Sequence, residues 1–251
     1  MSDVALTSLV IDSRKLNRLR MDGPALKVTM RERSPVLFPL RRLCRIHILG
    51  TPDNGMAALL FCAEQQIPVA FFDFNGRLRC RLYPAEGPSA LVDQWFEHVE
   101  FDPQINQLYE DWVLHQGLHA MSQLGINTGA CQSRRQLLYE ALRGLCRRQL
   151  GKEQLKAALE WLDGLARFHL DHLIESVGFS QPRGRRKLLE DLLPLLELRL
   201  LYALATKLQQ HAVFTVTPQS MTTFYQQQAD EIEFASRRML MQLVTRLEAV
   251  V

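Results

Sequence analysis

Residues 34–84 constrain this chain more than any other stretch. They open with S-P-V-L-F-P-L-R-R-L-C-R-I-H-I-L-G-T. From Asp53 they continue D-N-G-M-A-A-L-L-F-C-A-E-Q-Q-I-P-V-A-F-F-D-F-N-G-R-L-R-C-R-L-Y-P. Period-two patterning predicts strands over residues 36–40 and 45–49, and an apolar face at Ala57, Ala58, Leu60, Phe61 and Ala63 predicts a helix over 55–66. Residues 67–72 read as a buried strand. Asn75-Gly76 reads as a hairpin turn, because both residues tolerate positive φ. Residues 77–82 return as a strand with Arg77, Arg79 and Arg81 on one side and Leu78, Cys80 and Leu82 on the other. The three arginines can meet phosphates, or they can blunt a sheet edge against aggregation.

Upstream, residues 6–11 and 25–30 read as strands, 12–20 as a basic, turn-like segment, and Asp22-Gly23-Pro24 as a turn. Pro39 cannot donate to a ladder, which places its strand at an edge or a kink. Downstream the pattern becomes helical. Residues 84–89, P-A-E-G-P-S, form a linker, and helices are expected over 93–98 and from Asp102-Pro103 toward Leu124. A loop at 125–129 precedes a basic helix over 132–150, stopped near Gly151. Residues 153–177 read as one helix, or two broken at Gly164. A loop at 178–184 leads to a long helix over 185–210 with Pro194 inside it, where the ring should kink or restart the helix. Residues 218–251 supply the last helices. The fold class is therefore α+β: a small N-terminal β-rich domain, residues 1–84, followed by a larger all-α domain, residues 90–251.

Composition narrows the function classes. Of 251 residues 47% are hydrophobic and 23% charged, enough for a sizeable core. No run of about 18 apolar residues is present, which excludes a spanning helix. The start, Met1-Ser2-Asp3-Val4, does not read as a secretory signal. Five scattered cysteines with no Cys-x-x-Cys argue against a zinc or redox motif. A reduced, soluble, cytoplasmic protein is the expectation. The net charge of +3 is unevenly spread. Residues 1–90 carry 13 Lys/Arg against 8 Asp/Glu, residues 91–133 carry 6 acids and no base, and residues 134–210 carry 14 bases against 9 acids. Two basic blocks around an acidic one fit a polyanion surface, or a solvated face of paired charges.

The succession F-P-L-R-R-L-C-R-I-H-I-L-G, short helix, I-P-V-A-F-F-D, N-G-R-L-R-C-R-L resembles the β-domain of the CRISPR spacer-acquisition integrases, the first of the CRISPR-associated proteins. The helical part resembles the same family at three places. These are D-G-L-A-R-F-H-L from Asp163, E-S-V-G-F-S-Q-P from Glu175, and K-L-L-E-D-L-L from Lys187. Residues 224–247, with Arg237 and Arg238, resemble the C-terminal helices that hold family members to DNA. The resemblance implies a homodimer built partly through the β-domain, assembled with the second CRISPR-associated protein or with a catalytically complete homologue. Its substrate would be duplex or branched DNA. Its reaction would be attack of a DNA 3′-hydroxyl on a phosphodiester, with Mg²⁺ or Mn²⁺ stabilising the charge, so that the family activity is that of a DNA endonuclease and integrase.

Such a metal needs hard oxygen ligands and often an imidazole. The resemblance implies a Glu, a His and an Asp from three segments. The Glu maps to Glu140 and the Asp to Asp191, with Glu190 as a neighbouring metal ligand. The His is missing: the segment after Gly178 reads S-Q-P-R-G-R-R-K, with Arg183, Arg185, Arg186 and Lys187. A guanidinium has no lone pair for a metal and stays protonated, whereas it binds phosphate well. The expectation is therefore a DNA-binding member with an incomplete metal triad, its DNA contacts at Arg183, Arg185, Arg186, Lys187, Arg237 and Arg238. His169 and His172 on the preceding helix are the replacement candidates. The bland alternatives are a Glu140 paired with Arg143 or Arg147, and Glu190 and Asp191 favouring the start of their helix. The same outlook makes the arginine cluster a solvated loop and buries Trp95, Trp112 and Trp161. An active integrase and a scaffold that binds no DNA remain the rival classes.

Overall fold

The computed structural model describes residues 7–82, 102–125, 131–179, 182–210 and 214–249. The helix expected over 93–98, Trp95 and most of the loop at 125–129 lie outside them. The chain divides into two compact units, Met1–Gly87 and Pro88–Val251. Strands come first and helices second, as the α+β reading expects.

The first unit holds strands β1 (Thr7–Asp12), β2 (Leu16–Asp22), β3 (Ala25–Met30), β4 (Val36–Pro39), β5 (Leu43–Leu49), β6 (Val69–Phe72) and β7 (Leu78–Leu82), with helix α1 (Met56–Glu64) between β5 and β6. They form a four-stranded sheet in the order β1-β5-β6-β7 and a three-stranded sheet in the order β2-β3-β4. β1, β5 and β6 are parallel neighbours. A parallel pair needs a crossover, and α1 supplies it for β5 and β6. Leu26, Ile46, Ile48, Leu59, Cys62 and Val69 are at or near zero exposure in the core. Pro39 ends an edge strand, where its missing N–H costs no ladder bond.

Four local expectations need correction. α1 buries Ala58, Leu59, Cys62 and Ala63, while Ala57, Leu60 and Phe61 of the expected apolar face are exposed. Residues 12–20 are not merely a turn. Asp12 accepts from the backbone N–H of Arg14 at 3.0 Å and starts a single 3₁₀ turn, Ser13–Lys15, after which β2 begins. A register shift between Leu16 and Arg18 spoils the period-two pattern and hides this strand from a reading based on alternation. The β6–β7 connection is a three-residue loop, closed by Asp73 N–H donating to the Arg77 carbonyl at 2.9 Å. Only Gly76 has positive φ (95°) there, and Asp73 Oδ1 accepts from the N–H groups of Asn75 and Arg77 at 3.0 Å. An αL glycine at the third loop position is the ordinary solution for this length. Finally, Cys80 is exposed rather than covered beside Leu78 and Leu82. The ladder pairs Phe71 with Cys80 but Phe72 with Leu78, so a bulge at Arg79 turns the strand.

The second unit is helical: α2 (Pro103–Gln123), α3 (Cys131–Leu150), α4 (Lys152–Ser176), α5 (Pro182–Gln210) and α6 (Pro218–Glu248). Asp102 caps α2, accepting from Gln104 N–H at 2.8 Å and Ile105 N–H at 3.4 Å, with Pro103 in the first turn. α4 is one helix, with Gly164 buried inside it. It packs on both α5 and α6, and its buried face includes Leu155, Trp161, Leu165 and Phe168. Trp112 and Trp161 are core residues at 0% and 2% exposure. α5 starts at Pro182, three residues earlier than expected, because proline's fixed φ suits a first helical turn. It then runs past Pro194, whose side is exposed. Arg183, expected in the loop at 178–184, therefore lies in the first turn of the helix with the other cations.

Candidate nucleic-acid interface and metal position

The start of α5 sorts its cations by helical angle. Arg183, Arg186 and Lys187 face solvent, while Arg185, two positions from Arg183 and hence about 200° around the helix, turns inward. Its Nε and Nη2 donate to the two carboxylate oxygens of Asp171 on α4 at 2.9 and 3.1 Å. Its Nη1 lies 3.2 Å from Glu175. The three side chains keep only 16%, 2% and 19% of their exposure, so this is a nearly desolvated fork between helices. Arg186 donates to Glu190 at 2.8 Å on the open surface, and this hydrogen bond raises its already high pKa. Arg183 is exposed.

Asp191, one residue beyond Glu190, is held differently. Tyr109 on α2 donates its hydroxyl to Asp191 Oδ2 at 2.6 Å. Lys187 stands 3.9 Å from the same oxygen and 4.9 Å from the centre of the Tyr109 ring. Burial, and secondarily the hydrogen bond to Asp191, push the Tyr109 phenol far above its usual range. It stays a donor at any physiological pH. Glu140 sits on the exposed side of α3, accepting from Gln136 at 3.3 Å and lying 3.8 Å from Arg143. That is the surface pairing its i,i+3 spacing suggests.

His169 is 3% exposed, its Nδ1 is 2.8 Å from the Tyr225 hydroxyl on α6, and its Nε2 is 3.7 Å from Glu233. His172 is half-buried on the same helix. Arg237 lies 3.7 Å from Glu233, and Arg238 is exposed beside it. Among the described residues, no three His, Cys, Asp or Glu side chains converge on one point that could hold a metal. The carboxylates the resemblance offers as ligands each have another partner: Glu140 has Arg143, Glu190 has Arg186, and Asp191 has Tyr109 and Lys187. As arranged, this donor set does not fit a divalent cation. An ammonium group 3.9 Å from one ligand oxygen would repel it.

Sequence reasoning assigned no role to Tyr109, Asp171 or Glu175. It also missed a carboxyl pair between α4 and α5. Burial, then a hydrogen bond with Asp163, pushes the Glu197 carboxyl up to about 7, while Arg167 opposes the shift. Arg167 is itself 3.0 Å from Asp163.

Known proteins share this architecture. The family model for CRISPR associated protein Cas1 matches residues 9–124. No curated protein sequence matches the chain. A Cas1 protein from Thermotoga maritima superposes with a TM-score of 0.70 at 15% identity, covering 96% of each chain. A casposase bound to integration product gives 0.68 at 13% identity, covering 96% of this chain and 91% of that one. A chain of a Cas6-RT-Cas1–Cas2 complex gives 0.56 at 12% identity, over 99% of this chain and 35% of that one. At these identities the superpositions establish the fold. The family match runs from β1 to the end of α2, and the superpositions carry the same fold through the helical unit.

Proposed function

We propose that this chain is a CRISPR adaptation protein of the integrase family that binds DNA while its metal-dependent strand-transfer site is impaired. The observation that carries the reading is the environment of Asp191. A lysine ammonium stands 3.9 Å from Oδ2, where it would repel Mg²⁺ or Mn²⁺, and a buried phenol donates to the same oxygen. The absence of histidine between Gly178 and Lys187 supports it from the sequence side. DNA would meet Arg183, Arg186 and Lys187 at the solvent face of α5, together with Arg237 and Arg238 on α6. Binding phosphate needs exposed cations, and these five are exposed. Arg185, engaged by two carboxylates, would act by fixing the helix rather than by touching DNA.

A homodimer is supported by apolar surface on the β-rich unit. Val36 and Leu37 on the edge strand β4 are 48% and 52% exposed, and Met56, Leu60 and Phe61 on α1 are also open. One of the solved assemblies of similar fold is a Cas1–Cas2 complex, which favours the second CRISPR-associated protein as a further partner.

The test is a pair of assays on the purified chain. Gel shifts on duplex and branched DNA should show binding that weakens with salt. An integration assay in Mg²⁺ or Mn²⁺ should show no strand transfer by the chain alone. Transfer that disappears in Glu140→Ala or Asp191→Ala would establish an active enzyme instead. Failure to shift any DNA would leave a non-enzymatic scaffold.

A further inference from the structure

The helical unit carries a trough of about 1470 Å³ bounded by α2, α5 and α6, of whose lining the DNA reading uses Arg238 alone. Its floor is apolar, with Leu192, Leu195 and Leu196 of α5 among its lining. On the α6 wall, Phe234, Arg238, Met241 and Thr245 follow at spacings of four, three and four, so they share one helical face. Phe234 is 71% exposed, Met241 is 49% exposed, and Tyr202 of the opposite wall is 41% exposed. Large apolar side chains left this open on a groove mark an interaction surface rather than a random scatter.

The charges on the trough are biased. Two of its cations are engaged internally. Arg199 is ion-paired with Glu231, and Lys207 donates to Gln227 at 2.9 Å beneath the rings of Phe214 and Phe224. Arg238 and Arg246 on α6 line the trough without an acidic partner among the described residues, and Glu231 is the one described acid on the lining. The surface therefore offers apolar anchors flanked by two open arginines.

We propose that this trough docks an amphipathic α-helix of another protein, its apolar stripe set on Phe234, Met241 and Tyr202 and its acidic flank on Arg238 and Arg246. Phe234 and Met241 are seven residues apart, two helical turns, which is the repeat of an apolar stripe on a partner helix. A helix about 10 Å across with a 5.4 Å pitch fills roughly 420 Å³ per turn, so the space accommodates about three turns. A strand of nucleic acid fits less well, because it needs a row of open cations and the trough presents two. This inference goes beyond the DNA reading, with which it shares Arg238, and rests on the apolar trough rather than on that reading.

The test uses the full chain and a labelled synthetic helix of about 14 residues, with leucines at i, i+3, i+7 and glutamates on the flanks. A permuted peptide of the same composition, a lysine-flanked version and a single-stranded oligonucleotide serve as comparators. Fluorescence anisotropy should show binding of the glutamate peptide alone among the peptides. Phe234→Glu or Met241→Glu should weaken it at least about tenfold. Arg238→Glu with Arg246→Glu should transfer preference to the lysine peptide. All four side chains are exposed, and unchanged circular dichroism and Tm will verify folding. Absence of binding at about 1 mM peptide, or binding indifferent to Phe234→Glu, overturns the proposal. So does an oligonucleotide that binds through Phe234 and displaces the peptide, or a dimer of this chain that Phe234→Glu dissociates.

Discussion

The phenol of Tyr109 on α2 and the carboxylate of Asp191 on α5 stand 2.6 Å apart, although 82 residues separate them in the chain. One short hydrogen bond thus fastens the helical unit's first described helix to the helix that bears its densest group of cations. The same bond fixes the orientation of the Asp191 carboxylate, whose Oδ2 accepts from a buried hydroxyl.

Tyr109→Phe removes this bond without changing the packing of the ring. A hydrogen bond to a charged group contributes about 1.5–3 kcal/mol, and chemical denaturation should report a loss in that range. Asp191→Ala should cost as much or more, since it strands a buried hydroxyl. The double variant should lose less than the sum of the two singles. Additive losses would show that the two groups are not coupled.

Arg185→Ala should destabilise the helical unit by about 2–4 kcal/mol, because it leaves Asp171 and Glu175 nearly buried without their cation. At conditions where the variant is folded, its DNA affinity should match wild type. Comparison of Tm and of gel-shift midpoints for the same preparation separates the two effects.

Replacing Arg183, Arg186 and Lys187 together by alanine should do the opposite. Thermal stability should change little, since the Arg186–Glu190 pair is fully on the surface. DNA affinity should fall, and the slope of log K against log salt should shrink by roughly 2–3, about 0.9 for each phosphate no longer neutralised. An unchanged slope would remove this face from the DNA surface.

Glu197 makes stability depend on pH. Its folded value of about 7 stands above the ordinary carboxylate value of 4.5. Between those values the folded chain holds a proton that the unfolded chain has shed, so stability is full below about 4.5, falls as pH rises through 7, and stays lower above it. The side chain is partly open to water, which limits the loss to roughly 1–2 kcal/mol. Glu197→Gln should flatten this part of the Tm–pH profile and be more stable than wild type at pH 8. The profile of each protein between pH 5 and 8.5 is the measurement.

Thr217 and Ser220 cap the longest helix reciprocally: Thr217 Oγ1 accepts from Ser220 N–H at 3.1 Å, and Ser220 Oγ accepts from Thr217 N–H at 2.9 Å. Thr217→Ala should cost about 1 kcal/mol, read by thermal melting. No change would mean that the end of α6 is held by packing alone.

The sequence by itself determined the succession of elements: strands, a short crossover helix, a hairpin, then helices started by Asp102-Pro103 and stopped at Gly151. Those signals act over one turn of chain, where backbone geometry, capping and side-chain period decide the outcome locally. The bulges at Leu16–Arg18 and Phe71–Phe72 escaped because a bulge is defined by the partner strand, which a local pattern does not contain. Only the tertiary structure decided that Arg185 turns to Asp171, 14 residues upstream, while Arg183 and Arg186 stay in water. It likewise chose Tyr109 for Asp191 and Asp163 for Glu197. Each of those pairings depends on how one helix is rotated against another, and that rotation is set by the burial of whole apolar faces rather than by any neighbouring residue.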